Sequence, residues 1–222
     1  MTKIKICGLS DVEAASVAVN SGADFIGMIF ASSRRQVDAI KAKQIADAAK
    51  SLNNRINIVG VFVNTPAQEV NQAAKFCGLN YVQLSGDESW QYCLEIEKPI
   101  IKAIHVDKNH SVQDICTGIE KGYRLIGREK FTCLLDTYSA NSYGGTGQTF
   151  DWRLAKELSS ITPVIVAGGL TTENVTSLVR EVRPWGVDVS TGVETNLAKD
   201  IVKIRDFIQK VRSAEKERAP SR

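Results

Sequence analysis

Two residues able to handle protons end apolar runs: Cys7 follows Lys5-Ile6, and Asp136 follows Cys133-Leu134-Leu135. A carboxyl at the tip of an apolar strand is poorly hydrated, which raises its pKa and suits it to general-acid work. The same position also suits a turn or helix cap. A free thiol ionises near pH ~8.5 and needs local help before it acts as a base near neutrality. A strand-end cysteine is also a good small apolar filler. Arg34 and Arg35 stand side by side. A guanidinium can clamp a carboxylate through two parallel hydrogen bonds, although paired arginines are also common on surfaces.

Backbone donors form the second kind of chemistry. Ala167-Gly168-Gly169-Leu170 and Asp188-Val189-Ser190-Thr191-Gly192 each join an apolar run to glycine. Glycines let a phosphate approach backbone N–H groups, and the hydroxyls of Ser190 and Thr191 add donors. A third stretch, Ser142-Tyr143-Gly144-Gly145-Thr146-Gly147-Gln148, reads either as a flexible lid or as a further donor loop, and composition does not choose between them.

The elements that must position these groups repeat one pattern: an apolar run, a small-residue loop and a helix-like stretch. Eight apolar runs occupy residues 4–9, 25–30, 57–63, 81–86, 99–106, 132–137, 163–169 and 186–192. Most lack polar alternation, as expected of strands covered on both faces in a parallel sheet. Helix punctuation lies between them. Ser10 with Glu13 reads as a capping box closed by Gly22; Thr65-Pro66 reads as a cap and first turn closed by Gly78; Thr171-Thr172-Glu173 opens another helix. Ile201, Ile204, Ile208 and Val211 give the last helix one apolar face.

Strand starts 18 to 33 residues apart match single βα units. The expected fold is therefore α/β, a single-domain (β/α)8 TIM barrel over residues 1–212, with a frayed tail at 213–222. An open doubly wound sheet would place Gly-x-Gly-x-x-Gly after the first strand, and Cys7-Gly8-Leu9-Ser10 does not match. In the barrel, active sites lie at the C-terminal strand ends, and phosphate sits after strands seven and eight. Those ends here carry Cys7, Arg34-Arg35, Asn64, residues 83–85, His105, Asp136, Gly168-Gly169 and Ser190-Thr191-Gly192.

Composition narrows the class. Among 222 residues, 43% are hydrophobic and 24% charged, as in an ordinary globular protein. The net charge of +3 is too small and dispersed to point to nucleic acid or an anionic membrane. No apolar stretch approaches the ~20 residues of a membrane span, and the N-terminus lacks a signal-peptide core. Five cysteines without regular spacing fit a reducing cytoplasm, and with only two histidines a zinc site is not expected.

Lys5-Ile6-Cys7-Gly8-Leu9, Gly22-Ala23-Asp24-Phe25-Ile26-Gly27, Ser33-Arg34-Arg35-Gln36-Val37 and Val59-Gly60-Val61-Phe62-Val63-Asn64 resemble successive motifs of the phosphoribosylanthranilate isomerases. Val82-Gln83-Leu84, Leu134-Leu135-Asp136-Thr137, Gly144-Gly145-Thr146-Gly147, Ala167-Gly168-Gly169-Leu170 and Gly186-Val187-Asp188-Val189-Ser190-Thr191-Gly192-Val193-Glu194 continue the series in family order. The resemblance implies a cofactor-free Amadori rearrangement of N-(5-phosphoribosyl)anthranilate in tryptophan biosynthesis. On it, Asp136 is the general acid, Cys7 the general base, and Arg35 the holder of the anthranilate carboxylate. Gly145, Gly169, Ser190, Thr191 and Gly192 form the phosphate cradle, and Asp188 lies near the reacting centre. The implied partner is a small phosphosugar, with no nucleic acid or membrane, and the chain a monomer or homodimer.

One departure is that the family usually reads Val-Gln-Leu-His-Gly where this chain has Val82-Gln83-Leu84-Ser85-Gly86. Neither implied proton transfer calls on an imidazole there, so the expectation is that it is dispensable. Three other readings compete: a lyase similar to indole-glycerol-phosphate synthase, a Schiff-base aldolase with Lys102, or else Lys3 or Lys5, pointing into the barrel, and a non-catalytic sensor of phosphate ligands.

Overall fold

The computed structural model describes residues 1–106, 111–137 and 151–217. Gly145, with the whole of the 142–148 loop, lies outside them, as does His110. Eight strands alternate with helices: β1 (Lys3–Ile6), α1 (Val12–Asn20), β2 (Phe25–Ile29), α2 (Ala39–Leu52), β3 (Asn57–Phe62), α3 (Ala67–Phe76), β4 (Tyr81–Leu84) and the single turn α4 (Trp90–Cys93). The second half follows with β5 (Ile100–Val106), α5 (Val112–Ile126), β6 (Phe131–Thr137), α6 (Trp152–Ile161), β7 (Val164–Val166), α7 (Val175–Val182), β8 (Gly186–Val189) and α8 (Ile201–Lys216). A 3₁₀ turn at Thr191–Val193 and a hairpin, β9 (Glu194–Thr195) with β10 (Ala198–Lys199), are inserted between β8 and α8. The eight strands close into a parallel barrel, β8 pairing with β1. This is the (β/α)8 TIM barrel.

Alternation along each strand divides the core into two. Ile4 and Ile6 of β1, Val187 and Val189 of β8, and Cys133 and Leu135 of β6 face outward, into the layer shared with the helices. Their neighbours point inward, where Phe25, Val59, Ile101, Ala103, Leu134, Ile165 and Ala167 fill the barrel. Phe25 plugs the N-terminal end against Tyr81 and Trp185. α8 buries Ile204, Phe207, Ile208, Val211 and Ala214 on the outside; at ~1.5–3 kcal/mol per large buried side chain, this face docks the helix without help from its polar residues.

Several helix starts lie one or more residues beyond their sequence signals. Asp11, not Ser10, caps α1, accepting from the Ala14 N–H. Pro66 itself occupies the cap of α3, so the helix begins at Ala67 without a side-chain cap bond. The 171–174 segment forms a turn in which Asn174 Oδ1 accepts from the Thr171 N–H, and α7 starts only at Val175. The 213–222 segment, expected to fray, is helical as far as Lys216 because Ala214 is buried and Glu215 reaches the Thr2 N–H and Arg212. Strands β1, β4, β7 and β8 stop short of their apolar runs. The leftover residues turn across the C-terminal mouth.

Candidate active site

A cavity of 670 Å³ opens at that mouth, lined among others by Cys7, Arg35, Gln83, Ser85, Asp136, Asp188 and Ser190. Parallel pairing places these side chains together because β1, β6 and β8 each direct alternate residues inward. A cleft of 40 Å³ shares Asp136, Asp188 and Ser190 with it and adds Gly168, Gly169 and Thr191. A groove of 750 Å³ lies at the opposite end, between the chain's start and the turns before β7 and β8, where no strand tip reaches it. Size alone therefore does not pick out the site; the converging polar strand ends do.

Cys7 is buried, and its N–H is held by the Val189 carbonyl at 2.8 Å, fixing the first strand's tip to the last strand. Burial pushes its thiol up, with the Asp188 charge adding, while Lys5 pulls it back down. Lys5 Nζ lies 3.0 Å from Asp188 Oδ1, both groups buried. Burial works against the Lys5 ammonium, yet Asp188 and Cys7 more than compensate and hold its pKa above the ordinary value.

Asp136 is partly buried at the cavity floor, where the Thr137 N–H donates to Oδ1 at 2.8 Å. Desolvation first, and then the Asp188 charge, raise its carboxyl to about 6 against the opposing His105, Thr137 and Lys5. Among the described residues the N–H that Asp136 accepts is its immediate neighbour's. His105 stands opposite Asp136 in the strand register, and its Nε2 donates to the Ser85 carbonyl at 2.9 Å.

Arg35 does not point into empty space. Its Nε lies 2.6 Å from Glu194 Oε1, and Glu194 also pairs with Arg34 and, at 3.1 Å, with Lys199. Burial would raise Glu194, but hydrogen bonds from Arg35 and Arg34 and the charge of Lys199 outweigh it and hold it at about 2. Three cations around one carboxylate leave this rim of the cavity positive.

The loops after β7 and β8 meet through glycine. Gly168 and Gly169 have φ of +80° and +61°, the left-handed region where a side chain is strained. A Cβ on Gly192 would overlap the Leu170 carbonyl. Gly169, Ser190 and Thr191 line the small cleft, whereas Gly192 stands behind it and lets the two loops touch.

Lys102 is not in the cavity. Its neighbours Ile101 and Ala103 take the inward positions, and its Nζ is bound at 3.1 Å to both Glu88 Oε2 and the Gly86 carbonyl. Glu88 in turn accepts from the N–H groups of Asn64 and Gly86, tying together the loops after β3 and β4. The aldolase reading loses Lys102 as its nucleophile, and Lys5, the lysine that does point into the barrel, is held in an ion pair by Asp188. Sequence reasoning missed Lys5, Glu194 and Lys199 as parts of the site. Lys5 had a signal, because residues two apart on a strand share a face with Cys7. Lys199 had none, since only the hairpin carries it inward.

A carboxyl and a thiol lining one cavity, at the C-terminal mouth of a closed (β/α)8 barrel, are the groups that an acid–base barrel enzyme needs. Residues 4–210 match the family model for N-(5'-phosphoribosyl)anthranilate (PRA) isomerase. An N-(5'-phosphoribosyl)anthranilate isomerase of Dehalococcoides mccartyi is 45% identical over 215 residues, covering 97% of this chain and 98% of the relative. The crystal structure of phosphoribosyl anthranilate isomerase from Thermotoga maritima superposes with a TM-score of 0.82 at 35% identity, covering 96% of this chain and 100% of that one. A phosphoribosyl anthranilate isomerase in complex with reduced 1-(o-carboxyphenylamino)-1-deoxyribulose 5-phosphate superposes at 0.79 with 33% identity, covering 96% and 100%. The chain belongs to the phosphoribosylanthranilate isomerase family and is an aldose–ketose isomerase.

Proposed function

We propose that this mouth converts N-(5-phosphoribosyl)anthranilate to 1-(2-carboxyphenylamino)-1-deoxyribulose 5-phosphate for tryptophan biosynthesis, with Asp136 as acid and Cys7 as base. The observation that carries the assignment is that one cavity at the barrel mouth is lined by both a carboxyl raised to about 6 and the Cys7 thiol, with the buried Lys5–Asp188 pair beside it. Asp136 gives its proton to the ribose ring oxygen as the C1–O bond breaks and the anilino nitrogen lone pair forms an iminium. Cys7, as thiolate, takes the proton from C2; the C–H electron pair becomes the C1=C2 bond and the iminium electrons return to nitrogen. The enolamine then loses its hydroxyl proton and gains one at C1, giving the ketone. Every step is a proton transfer, so the proposal calls on no cofactor.

The remaining residues supply binding. The cleft of Gly169, Ser190 and Thr191, with Gly192 bracing it, is assigned to the phosphate, together with Gly145 of the glycine-rich loop. Arg35, on the positive rim, is assigned to the anthranilate carboxylate, and Asp188 to the reacting centre. Gln83 donates to Ser85 Oγ at 3.0 Å, while its buried Oε1 has no hydrogen-bond partner among the described residues, an acceptor available at the cavity wall. Ser85 is thus absorbed into a local hydrogen bond without taking up a proton-transfer role.

No helix among the described residues is long and apolar enough to cross a membrane, and all five cysteines are free thiols. We place the enzyme in the cytoplasm, where thiols stay reduced.

The test is conversion of phosphoribosylanthranilate, followed by the loss of its fluorescence. Cys7→Ala and Asp136→Asn are expected to lower kcat by about 10²–10⁴-fold each while product analogues still bind. Near-normal turnover in either variant would remove that residue from the assigned pair.

A further inference from the structure

Lys5 heads the fully buried side chains by volume, at 1% exposure, and the proton transfers proposed above make no use of it. A buried ammonium costs several kcal/mol unless it is paired, so its place inside the barrel calls for a reason. Its Nζ donates to Asp188 Oδ1 at 3.0 Å, and Cys7 stands two residues further along the same inward face. Room for the three groups is made on the neighbouring strand. A Cβ on Gly27 of β2 would stand 2.9 Å from Cys7 Sγ and 3.1 Å from Lys5 Nζ, so this glycine leaves space for both side chains to lie over it.

We propose that Lys5 is a positioning residue for the base: fixed by Asp188, its ammonium donates to Cys7 Sγ and stabilises the thiolate that removes the C2 proton. The proposal rests on the acid–base reading above and names the group that makes it workable. The charges facing Cys7 come from each element around it. β1 supplies Lys5, β8 Asp188, the hairpin after β8 Lys199, β6 Asp136, and the loop after β2 Arg35; β2 itself presents the uncharged Gly27. Asp188 and Asp136 oppose a thiolate, and of the cations Lys5 is the one whose Nζ lies with Cys7 Sγ over Gly27 and pulls most strongly on the thiol. As Sγ takes the proton from C2, the cluster of Cys7, Lys5 and Asp188 passes from one net negative charge to none, while the iminium loses its positive charge. The Lys5–Asp188 pair is unchanged by the step, which leaves it preorganised for the next turnover.

The decisive experiment titrates Cys7 in the full-length enzyme without substrate. Ultraviolet thiolate absorbance is recorded against pH for each variant and corrected with the matching Cys7→Ala protein. Lys5→Met is expected to raise the Cys7 midpoint by at least ~1 pH unit, and Asp188→Asn to lower it, because the two charges act on sulfur with opposite signs. Lys5→Met should also reduce kcat about 100-fold with KM within about twofold of wild type. The double variant Lys5→Met/Asp188→Asn removes a buried pair together, avoids an orphaned carboxylate, and should titrate between Lys5→Met and wild type. A midpoint unmoved by Lys5→Met and by the double variant, or moved the same way by Lys5→Met and Asp188→Asn, overturns the proposal. If wild type fails to convert phosphoribosylanthranilate, the functional reading falls while the titration result stands by itself.

Discussion

At the residue scale, the feature that suits Asp136 to its proposed role as acid also weakens the fold. Its carboxyl, raised by burial and by Asp188 to about 6, is neutral more easily in the folded chain than in the unfolded one, whose aspartates ionise near 3.8. The folded state therefore binds more protons between these values, and stability falls as pH rises through that window. The loss amounts to up to about 3 kcal/mol, reduced by the solvent that reaches the carboxyl through the cavity. Asp136→Asn keeps the acceptor for the Thr137 N–H and deletes the charge. The inactive variant should thus melt above wild type at pH 7.5, and the difference should vanish below pH ~4. Thermal melts of both proteins across pH check this; a variant that melts below wild type at pH 7.5 contradicts the assigned environment. Asp136 was legible in the sequence because it ends an apolar run. The partnership of Glu194 with Arg34, Arg35 and Lys199 was not, since those residues meet only after the hairpin folds back over the loop after β2.

At the scale of elements, the proposed phosphate and acid–base sites depend on how closely neighbouring βα loops approach. Gly192 lets the loop after β8 rest on the Leu170 carbonyl in the loop after β7. Gly192→Ala places a methyl group against backbone, which cannot turn aside as a side chain would, so the two loops must part. We expect KM for the phosphorylated substrate to rise about tenfold or more with kcat changed less, since misplacing a binding loop by ~1 Å is costly. Steady-state kinetics separate the two parameters, and an unchanged KM would show that the loops do not act together. Element identity was readable along almost the whole chain because a strand covered on both faces is a continuous apolar run. Boundaries were less so. Ser10 and Asp11 are both good caps, and only the path of the chain from β1 decides that Asp11 reaches the Ala14 N–H. At Thr65-Pro66 the proline takes the cap position itself, a choice that composition does not fix.

For the whole molecule, closure of the barrel joins the two ends of the sequence at one seam. Lys3 donates its N–H to Trp185 and Cys7 to Val189 at 2.8 Å each, while Arg212 of α8 reaches Asp24 at 2.9 Å and the Thr2 carbonyl at 2.7 Å. Lys3, the Ile4 N–H and Arg212 together outweigh burial and hold the Asp24 carboxyl below its ordinary range. The pattern of eight apolar runs made a closed barrel the expected fold, but it did not say that the base would stand on the seam. That requires knowing which strands become neighbours, and β1 and β8 are the pair farthest apart in sequence.

The position of Cys7 on that seam gives the enzyme a temporal order. The thiol leaves the ribosome 181 residues ahead of Asp188, which fixes its ammonium partner. A nascent or half-refolded chain can hold several intact βα units and still have no working base, because the last strand has yet to dock against the first. Turnover should accordingly appear with the slowest folding phase and never ahead of it, measured by mixing refolding aliquots with substrate while following backbone ellipticity. Activity in a chain ending before β8 would refute this order. Closure of the barrel and competence for the proposed chemistry are then a single event.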